Sequence, residues 1–289
     1  MKIPVFTGVC TALVTPFWDN KVNYPLVQQL LRRQIDAGVD AVVLAGTTGE
    51  APTLSDSEKI ELFRRSKNFA GDRCKIIAGS GSNSTKHAIE LSQAAEQAGV
   101  DALLVVSPYY NKTNPEGLYI HYATIARSVQ IPIIVYNVPS RTGVDIPVSV
   151  YKQLSLIPNI VGVKEASPDI TKQLRTHALC GRNFHVWSGN DDQIVPSMAL
   201  GGLGVISVLS NVCPVETVAM TQAALAGDFD TAADLQCQLS PLIELLFSDV
   251  NPIPVKFAMG CIGFDCGGCR PPLCDPGVDL QQRIMRYFK

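Results

Sequence analysis

The chain has 289 residues, a formal net charge of -2 and 46% hydrophobic residues, a composition typical of a globular protein with a sizeable buried core. The near-neutral charge offers no basic surface for nucleic acid or an anionic membrane, and no apolar run is long enough to cross a bilayer. Nine cysteines form an odd number in a chain whose first residues do not resemble a signal peptide, which predicts reduced thiols and a cytoplasmic location.

A repeated segment indicates the length of the structural unit. Residues 37–44 are AGVDAVVL and residues 98–105 are AGVDALLV, and each copy follows a helical pattern of apolar residues. The glycine is typical of a helix C-terminus, and the apolar run after it is typical of a buried parallel strand. The copies lie about sixty residues apart, which corresponds to two β-α steps of about thirty residues each.

Eight strands are predicted at this spacing, with amphipathic helical segments between them. They are Gly8–Pro16, Ala41–Gly46, Lys75–Ser80, Ala102–Ser107, Pro132–Asn137, Ile160–Glu165, Phe184–Ser188 and Gly204–Leu209. Ser55 and Glu58 form a capping-box pattern at the start of the second helix. Eight such units predict an α/β fold, a (β/α)8 TIM barrel, over residues 1–225.

Two further points concern the architecture. An open doubly wound sheet is the alternative to the barrel, but it would need a glycine-rich phosphate turn after its first strand, and TALVTPFW is not one. From residue 226 the strand patterns stop and helical patterns continue. We therefore expect residues 226–289 to form a small C-terminal helical region without a large core of its own.

The ends of the second and fourth predicted strands carry polar motifs, and a barrel places its active site at such ends. GTTGE follows the second strand, where the hydroxyls of Thr47 and Thr48 and the backbone N–H groups could hold a carboxylate. A tight turn without a ligand is the alternative. SPYYN follows the fourth strand, and the adjacent Tyr109 and Tyr110 should point in opposite directions. One of them must then cover apolar surface or contact a neighbouring subunit.

The fifth predicted strand ends in YNVPSRTG. Tyr136 shares a face with Ile134, which places its phenol in the barrel mouth as a candidate proton carrier. Arg141 follows on a loop, and its planar guanidinium is suited to a carboxylate. Taken singly, the two could equally be a core tyrosine and a surface arginine.

The sixth predicted strand, IVGVKE, ends in a lysine. Lys164 should share a face with Gly162 and Ala166, whose small size would leave space beside it, and Val161 and Glu165 should share the other face. An enclosed amine is favoured in its neutral form, which attacks carbonyl compounds to give Schiff bases. A lysine that extends to the rim or pairs with Glu165 is the alternative. Together the strand ends predict carbonyl chemistry on a small keto acid, without an obvious metal cluster or nucleotide motif.

Five motifs carry a family resemblance. GTTGE, SPYYN, YNVPSRTG, GVKEAS and GVISV, in this order and at these separations, resemble the dihydrodipicolinate synthase / N-acetylneuraminate lyase family over residues 8–256. The resemblance implies the same barrel and no cofactor. It also implies an imine between pyruvate and Lys164, whose enamine form attacks an aldehyde.

The resemblance also assigns roles to the other candidate residues. It implies that Thr48 and the backbone of Ile206 hold the pyruvate carboxylate and that Gly189 contributes to substrate binding. Tyr136, Thr47 and Tyr110 would transfer protons, with Tyr110 reaching the site of the partner subunit. The expected assembly is a homo-oligomer built from an obligate dimer, commonly a dimer of dimers, that is, a homotetramer.

The second substrate separates the branches of this family. The sialic acid lyases resemble GSTGE at the second strand and lack the SRTG arginine, whereas Arg141 matches the residue that binds the carboxylate of aspartate 4-semialdehyde. The resemblance therefore implies the synthase branch, in lysine and diaminopimelate biosynthesis. The alternatives are a pyruvate-dependent aldolase of a keto-sugar acid and a pyruvate-binding sensor that has lost turnover.

Two stretches depart from the family pattern. Asn83 and Tyr109 match contacts of an inhibitory lysine site, but His87 replaces a glutamate and Lys59 replaces a histidine, so weak lysine inhibition is predicted. The tail places four cysteines close together in the chain, and only two of them have the C-x2-C spacing of zinc sites. Free cysteines are expected, and a structural metal is the alternative, at Cys261, Cys266, Cys269 and Cys274.

Overall fold

The computed structural model describes residues 2–289, and within them eight parallel strands form a closed barrel. Each strand pairs with its neighbours in the chain, and the last pairs with the first. The strands are β1 (Gly8–Ala12), β2 (Ala41–Leu44), β3 (Lys75–Gly79), β4 (Ala102–Val106), β5 (Ile133–Asn137), β6 (Ile160–Glu165), β7 (His185–Ser188) and β8 (Gly204–Ser207). The predicted barrel and all eight predicted strands are confirmed. Five strands end one to four residues earlier than predicted because their last residues turn into the loops of the barrel mouth, and β5 and β7 begin one residue later.

Helices connect successive strands and cover the outside of the barrel. They are α1 (Tyr24–Asp36), α2 (Asp56–Ala70), α3 (Thr85–Gln97), α4 (Pro115–Arg127), α5 (Pro139–Thr142), α6 (Val148–Leu154), α7 (Thr171–Cys180), α8 (Ile194–Ala199) and α9 (Pro214–Leu225). The chain then continues as α10 (Phe229–Leu246), α11 (Ile253–Cys261) and α12 (Val278–Tyr287). None of the helices among residues 2–289 combines the length and the hydrophobicity that a membrane span requires.

The repeated AGVD segments have the same structure in both copies. Gly38 and Gly99 lie just after α1 and α3 with φ of 80° and 83°, the left-handed conformation that glycine adopts without strain. The aspartate two residues later accepts a backbone hydrogen bond from a neighbouring strand. Asp40 accepts from Val9 N at 2.9 Å, and Asp101 accepts from Ile76 N at 2.8 Å. The repeat therefore encodes both the end of a helix and the attachment of the next strand.

Two apolar layers fill the protein, one inside the barrel and one between the barrel and its helices. The inner layer includes Ile134, Tyr136 and Trp187, and the outer layer includes Val135 and Val163. Val161 belongs to the inner layer, so its predicted position on the outer face is wrong. The pairing of β5 with β6 shifts register between Ile133 and Ile134, and this irregularity interrupts the alternation assumed from sequence.

A short antiparallel hairpin, Phe17–Trp18 with Lys21–Val22, was not predicted. Its turn residues Asp19 and Asn20 both have positive φ, which matches the tight turns that favour these residue types. The hairpin contacts the C-terminal region, because Phe17 N donates to Cys266 O at 2.9 Å. The C-terminal region therefore lies against residues that follow β1 at the barrel mouth.

The C-terminal region is also joined to the turn that follows β2. Lys256 Nζ in α11 donates to Glu50 Oε1 at 2.8 Å, and both side chains are almost completely buried. The backbone N–H of Arg270 donates to the other oxygen of the same carboxylate at 2.8 Å. Because a buried carboxylate needs such partners, these contacts hold the C-terminal segment against the strand ends where the predicted site lies.

Candidate active site

Lys164 and Tyr136 lie side by side at the C-terminal ends of β6 and β5. The two residues are direct partners in the strand register, and the lysine Nζ lies 4.4 Å from the centroid of the tyrosine ring. Lys164 is 5% exposed and Tyr136 is 7% exposed. The lysine therefore does not extend to solvent at the rim, as one alternative supposed.

The neighbouring carboxylate does not pair with this lysine. Glu165 points toward the helices, where it accepts hydrogen bonds from Asn137 Nδ2 at 2.7 Å and Tyr151 OH at 2.8 Å. Lys172 Nζ lies 3.7 Å from Oε2, the same oxygen that accepts from Tyr151. Asn137 and Glu165 are register partners just as Tyr136 and Lys164 are. The alternative in which Lys164 pairs with Glu165 is therefore wrong. The Asn137–Glu165 pair faces the helices and joins the two strand ends on the side opposite to Tyr136 and Lys164.

The glycines near Lys164 allow backbones to approach closely. A Cβ on Gly162 would lie 2.2 Å from the carbonyl oxygen of His185 in β7, so this glycine permits strand contact and does not leave the space that the sequence suggested. A Cβ on Gly189 would lie 2.6 Å from the Cβ of Ala166 and 3.0 Å from Cε of Lys164. A larger residue at position 189 would press on the lysine side chain.

The turn after β2 places Thr47 and Thr48 at the same end of the barrel. Thr48 is buried, and its hydroxyl accepts a hydrogen bond from Asn251 Nδ2 at 3.0 Å. Thr47 is partly exposed and lines the cavity described below. Glu50 ends the turn with a φ of 57° and is held by the ion pair with Lys256. The turn is thus fixed from the C-terminal region as well as by the barrel.

Arg141 lies in the short helix α5 above the end of β5. Its Nη2 donates to the backbone oxygen of Asn251 at 3.0 Å, which fixes one side of the guanidinium. The side chain lines the same cavity as Tyr136. The sequence predicted Arg141 on a loop, but the residue lies in α5, because the chain after Val138 forms one short helical turn before Gly143. The rest of its planar fork remains for an anionic group.

A cavity of about 560 Å³ opens at this end of the barrel. Its wall includes Thr47, Tyr136 and Arg141, and it continues to Lys59 and His87. Lys164 is buried behind the wall, against the Tyr136 ring. Thr48 is also buried, and its partner Asn251 holds Arg141 of the wall. The cavity therefore connects the lysine–tyrosine pair with a second polar region near α2 and α3.

In that second region, Asp56 lies between the two residues that depart from the family pattern. His87 Nε2 lies 2.8 Å from Asp56 Oδ2, and Lys59 Nζ lies 3.6 Å from Asp56 Oδ1. Partial burial acts to raise the pKa of Asp56, but the hydrogen bond and charge of His87 and the charge of Lys59 outweigh it and lower the pKa. The Asp56 carboxylate is therefore already paired with Lys59 and His87.

The adjacent tyrosines lie in the loop after β4 and take separate environments. Tyr109 lines the cavity. Tyr110 is 92% exposed and has a φ of 69°, which is uncommon for an aromatic residue. The prediction that only one of the two faces the chain's own site agrees with these positions. A large aromatic side chain held outward in this way is suited to contact with another protein surface.

The end of β8 is anchored by a buried carboxylate that the sequence did not reveal. Ile206 lies fully buried in β8, and Asp191 Oδ2 accepts from the backbone N–H groups of Val208 and Leu209, both at 2.9 Å. Complete burial raises the pKa of Asp191, although the hydroxyl of Ser207 and these two N–H groups act against that shift. Asp191 thereby holds the residues that follow Ile206.

The four cysteines of the tail do not gather into a metal site. Among residues 2–289, no three side chains of histidine, cysteine, aspartate or glutamate are arranged to hold an ion. Burial raises the pKa of Cys266 and of Cys269 to about 12. Cys274 is exposed, and all four thiols are free. The structural-metal alternative thus finds no support in the described residues.

Asn251 is a second residue that sequence reasoning missed. It lies between α10 and α11, in a stretch that the sequence marks only as an irregular connection with two prolines. No local pattern predicts that this residue returns to the turn after β2. Its contact with Thr48 spans a sequence separation of 203 residues and appears only once the chain is folded.

Comparisons with known proteins show the family to which the chain belongs. The family model described as the dihydrodipicolinate synthetase family matches residues 5–289. The chain belongs to this family. A relative from Thermoanaerobacter sp. (strain X514), named 4-hydroxy-tetrahydrodipicolinate synthase, is 46% identical over 288 residues, covering 99% of this chain and 96% of its own length.

Solved structures of family members show the same fold. The dihydrodipicolinate synthase of Aquifex aeolicus is 41% identical and superposes with a TM-score of 0.96, with coverage of 98% of this chain and 97% of that one. The enzyme of Cyanidioschyzon merolae, solved with lysine bound, is 38% identical with a TM-score of 0.94, with coverage of 98% and 97%. The barrel predicted from the repeat and from the eight strand segments is therefore the fold of this family.

Proposed function

We propose that the protein is a 4-hydroxy-tetrahydrodipicolinate synthase, a Schiff-base-forming lyase that condenses pyruvate with aspartate 4-semialdehyde in lysine and diaminopimelate biosynthesis. The observation that carries the proposal is the enclosed amine of Lys164 beside the Tyr136 ring, with Nζ 4.4 Å from the ring centroid. The names of the family members reported above support the choice of reaction. The substrate itself supplies the electrophilic centre, so the reaction needs no cofactor.

The first chemical steps follow from the position of the amine. Lys164 Nζ attacks the ketone carbon of pyruvate, and loss of water gives an imine that in its protonated form withdraws electrons from the methyl group. Removal of a methyl proton gives an enamine, and its carbon attacks the aldehyde carbon of the second substrate. The aldehyde oxygen takes up a proton in the same step. Ring closure by the substrate amine then releases the product and regenerates Lys164.

Tyr136 is the proposed proton carrier for these steps, with Thr47 and the partner subunit's Tyr110 as further members of the relay. The hydroxyl of Tyr136 belongs to a ring that contacts Lys164 and lines the cavity. Thr47 lines the same cavity. Proton transfer needs a group close to both the amine and the incoming substrate, and the contact of the Tyr136 ring with Lys164 and its place on the cavity wall support this role.

Two carboxylates must be recognised, one on each substrate. We assign the pyruvate carboxylate to the Thr48 hydroxyl and the backbone of Ile206, with Gly189 leaving the approach to Lys164 open. We assign the carboxylate of aspartate 4-semialdehyde to Arg141, whose fork lines the cavity mouth. Incubation of the protein with pyruvate and either aspartate 4-semialdehyde or a sugar aldehyde tests this assignment. Turnover with a sugar aldehyde alone would replace it by the keto-sugar acid aldolase.

The tyrosine in the loop after β4 gives a test of a shared site. In a homodimer, Tyr110 of one subunit would complete the site of the other, which suits its 92% exposure here. We expect Tyr110→Phe and Lys164→Ala dimers to be weakly active or inactive alone and to recover activity when dissociated and mixed. Random mixing makes half of the dimers hybrids with one complete site each, so recovery should reach about a quarter of the wild-type activity.

The control for this prediction is a mixture of each variant with itself, treated in the same way. Size measurement by sedimentation should show a dimer or a dimer of dimers for the wild type and both variants. A mixture that stays as inactive as its components, while hybrids are shown to form, would contradict the shared site.

Inhibition by lysine is expected to be weak. An entering lysine ammonium would meet Lys59 and His87, and Asp56 is already paired with both. The double variant Lys59→His/His87→Glu should bind lysine at least about tenfold more tightly, since a like-charge contact of about 1.4 kcal/mol corresponds to that factor. Initial rates against lysine concentration measure both proteins. Half-inhibition of the wild type at sub-millimolar lysine would oppose the prediction.

We place the reaction in the cytoplasm. Support comes from the nine cysteines, all of which are free in the structure and would remain thiols in a reducing compartment. The pyruvate-binding sensor is the less supported alternative, because Lys164 and Tyr136 are both present and in contact. Product formation from the two substrates separates an enzyme from a sensor.

A further inference from the structure

Asn251 connects two side chains of the proposed site, although it lies outside the barrel. Its side-chain Nδ2 donates to Thr48 Oγ1 at 3.0 Å. Its backbone oxygen accepts from Nη2 of Arg141, also at 3.0 Å. The groups proposed to hold the carboxylates of the two substrates are thus attached to one residue, by two different parts of it.

The side-chain amide of Asn251 is used asymmetrically. Asn251 is buried, and its Oδ1 has no hydrogen-bond partner, so the bond to Thr48 is the one that its side chain makes. An unpaired buried oxygen is costly, and such groups are rare in folded proteins. The structure accepts this cost while it keeps an N–H group directed at Thr48. This arrangement points to a role for the direction of that hydrogen bond.

The direction matters because of what a hydroxyl can do. Thr48 has one O–H donor and two acceptor lone pairs. The Asn251 N–H occupies one lone pair, so the hydroxyl proton must be directed to a different acceptor. In a site that binds a keto acid, that acceptor is a carboxylate oxygen.

A second contact holds the segment of Asn251 against the turn that follows β2, which contains Thr48 and Glu50. Lys256, on the first turn of α11, forms the buried ion pair with Glu50 at 2.8 Å. Residues 251 and 256 thus attach to residues 48 and 50 of the same turn. The backbone bond from Lys256 N to Pro252 O, at 3.0 Å, keeps the connecting segment helical.

We propose that Asn251 is a positioning residue that fixes the Thr48 hydroxyl as a donor to the pyruvate carboxylate and anchors Arg141 through its own backbone. The proposal rests on the proposed function, because it concerns the binding of the same keto acid. It assigns a part of the site to residues 226–289, which the sequence treats as a separate helical region.

The two attachments make different predictions for substitution. Asn251→Ala removes the N–H and frees the Thr48 hydroxyl to rotate, so the KM for pyruvate should rise about fivefold. Asn251→Asp offers an acceptor that captures the hydroxyl proton and should raise the KM about tenfold to a hundredfold. Both variants keep the backbone oxygen that holds Arg141, so the KM for the aldehyde should change less than about twofold.

A double-mutant cycle tests whether Asn251 acts through Thr48. Thr48→Val removes the hydroxyl, and Asn251→Ala should then have little further effect on the KM for pyruvate. Additive effects of the two substitutions, or an equal rise of both KM values, would overturn the proposal. Thermal unfolding of each variant checks the fold, and the nearly isosteric Asn251→Asp provides the measurement if the alanine variant does not fold.

A trapping experiment separates a failure of this proposal from a failure of the proposed function. Borohydride treatment in the presence of pyruvate should trap an adduct on Lys164 of the wild type. Absence of that adduct contradicts the proposed function itself. If the wild type is trapped and both Asn251 variants are half-saturated at the wild-type pyruvate concentration, the positioning role alone is wrong.

Discussion

Replacing Lys164 with alanine is expected to abolish covalent capture of pyruvate and to lower kcat on the order of 10⁴-fold or more, as the loss of a nucleophile does in other enzymes. Lys164 is 5% exposed and its amine lies against the Tyr136 ring, so the substitution removes the amine to which the proposal assigns the imine. Because the smaller side chain leaves a cavity, some loss of stability should accompany the loss of activity.

Mass analysis after borohydride treatment with pyruvate measures the effect directly. The wild type should gain one pyruvate-derived adduct on the peptide that contains Lys164, and the alanine variant should gain none. Lys59→Met is the matched control, because Lys59 lines the same cavity and is also largely buried. That variant should still be trapped. An adduct on the alanine variant, or on Lys59 of the wild type, would remove Lys164 from the proposed role.

Replacing Tyr136 with phenylalanine is expected to lower kcat about 10²- to 10⁴-fold while imine formation remains detectable. The substitution keeps the ring that packs against Lys164 Nζ at 4.4 Å and removes only the hydroxyl. The structural part of the residue is thus retained, and the change isolates proton transfer. The KM for pyruvate should change far less than kcat.

Single-turnover measurements separate the steps for this variant. Trapping with pyruvate reports imine formation, and consumption of the aldehyde reports the later proton transfers and carbon–carbon bond formation. A control with Tyr109→Phe removes another hydroxyl from the cavity wall, and it should retain most of the activity. Turnover by Tyr136→Phe at nearly the wild-type rate would show that a different group carries the proton.

The side to which each residue of β6 points depends both on the sequence of that strand and on its pairing with β5. Alternation along β6 predicted that Lys164 and Glu165 face opposite sides, and the structure confirms it, because Glu165 bonds to Asn137 and Tyr151. The same rule failed for Val161, where the pairing with β5 shifts register. Alternation depends on regular pairing, and pairing is a property of two strands and not of one.

The amino-acid sequence by itself determined the repeating unit, the order of the strands and the residues at the strand ends. These features depend on local periodicity and on the conformations of glycine after a helix, so they can be inferred from short segments such as residues 98–105. It likewise determined that a lysine, a tyrosine and an arginine would meet at one end of a barrel.

The tertiary structure decided which distant residues complete the site. Asn251 reaches Thr48 across 203 residues, Lys256 pairs with Glu50 across 206, and Asp191 fixes the end of β8. The tertiary structure also decided that Gly162 serves close contact between strands. The Asn251 and Lys256 contacts join groups more than 200 residues apart, and the Asp191 and Gly162 contacts join successive β-α units. The hydrogen bonds and the ion pair form only where folding removes water and places donor and acceptor within about 3 Å of each other.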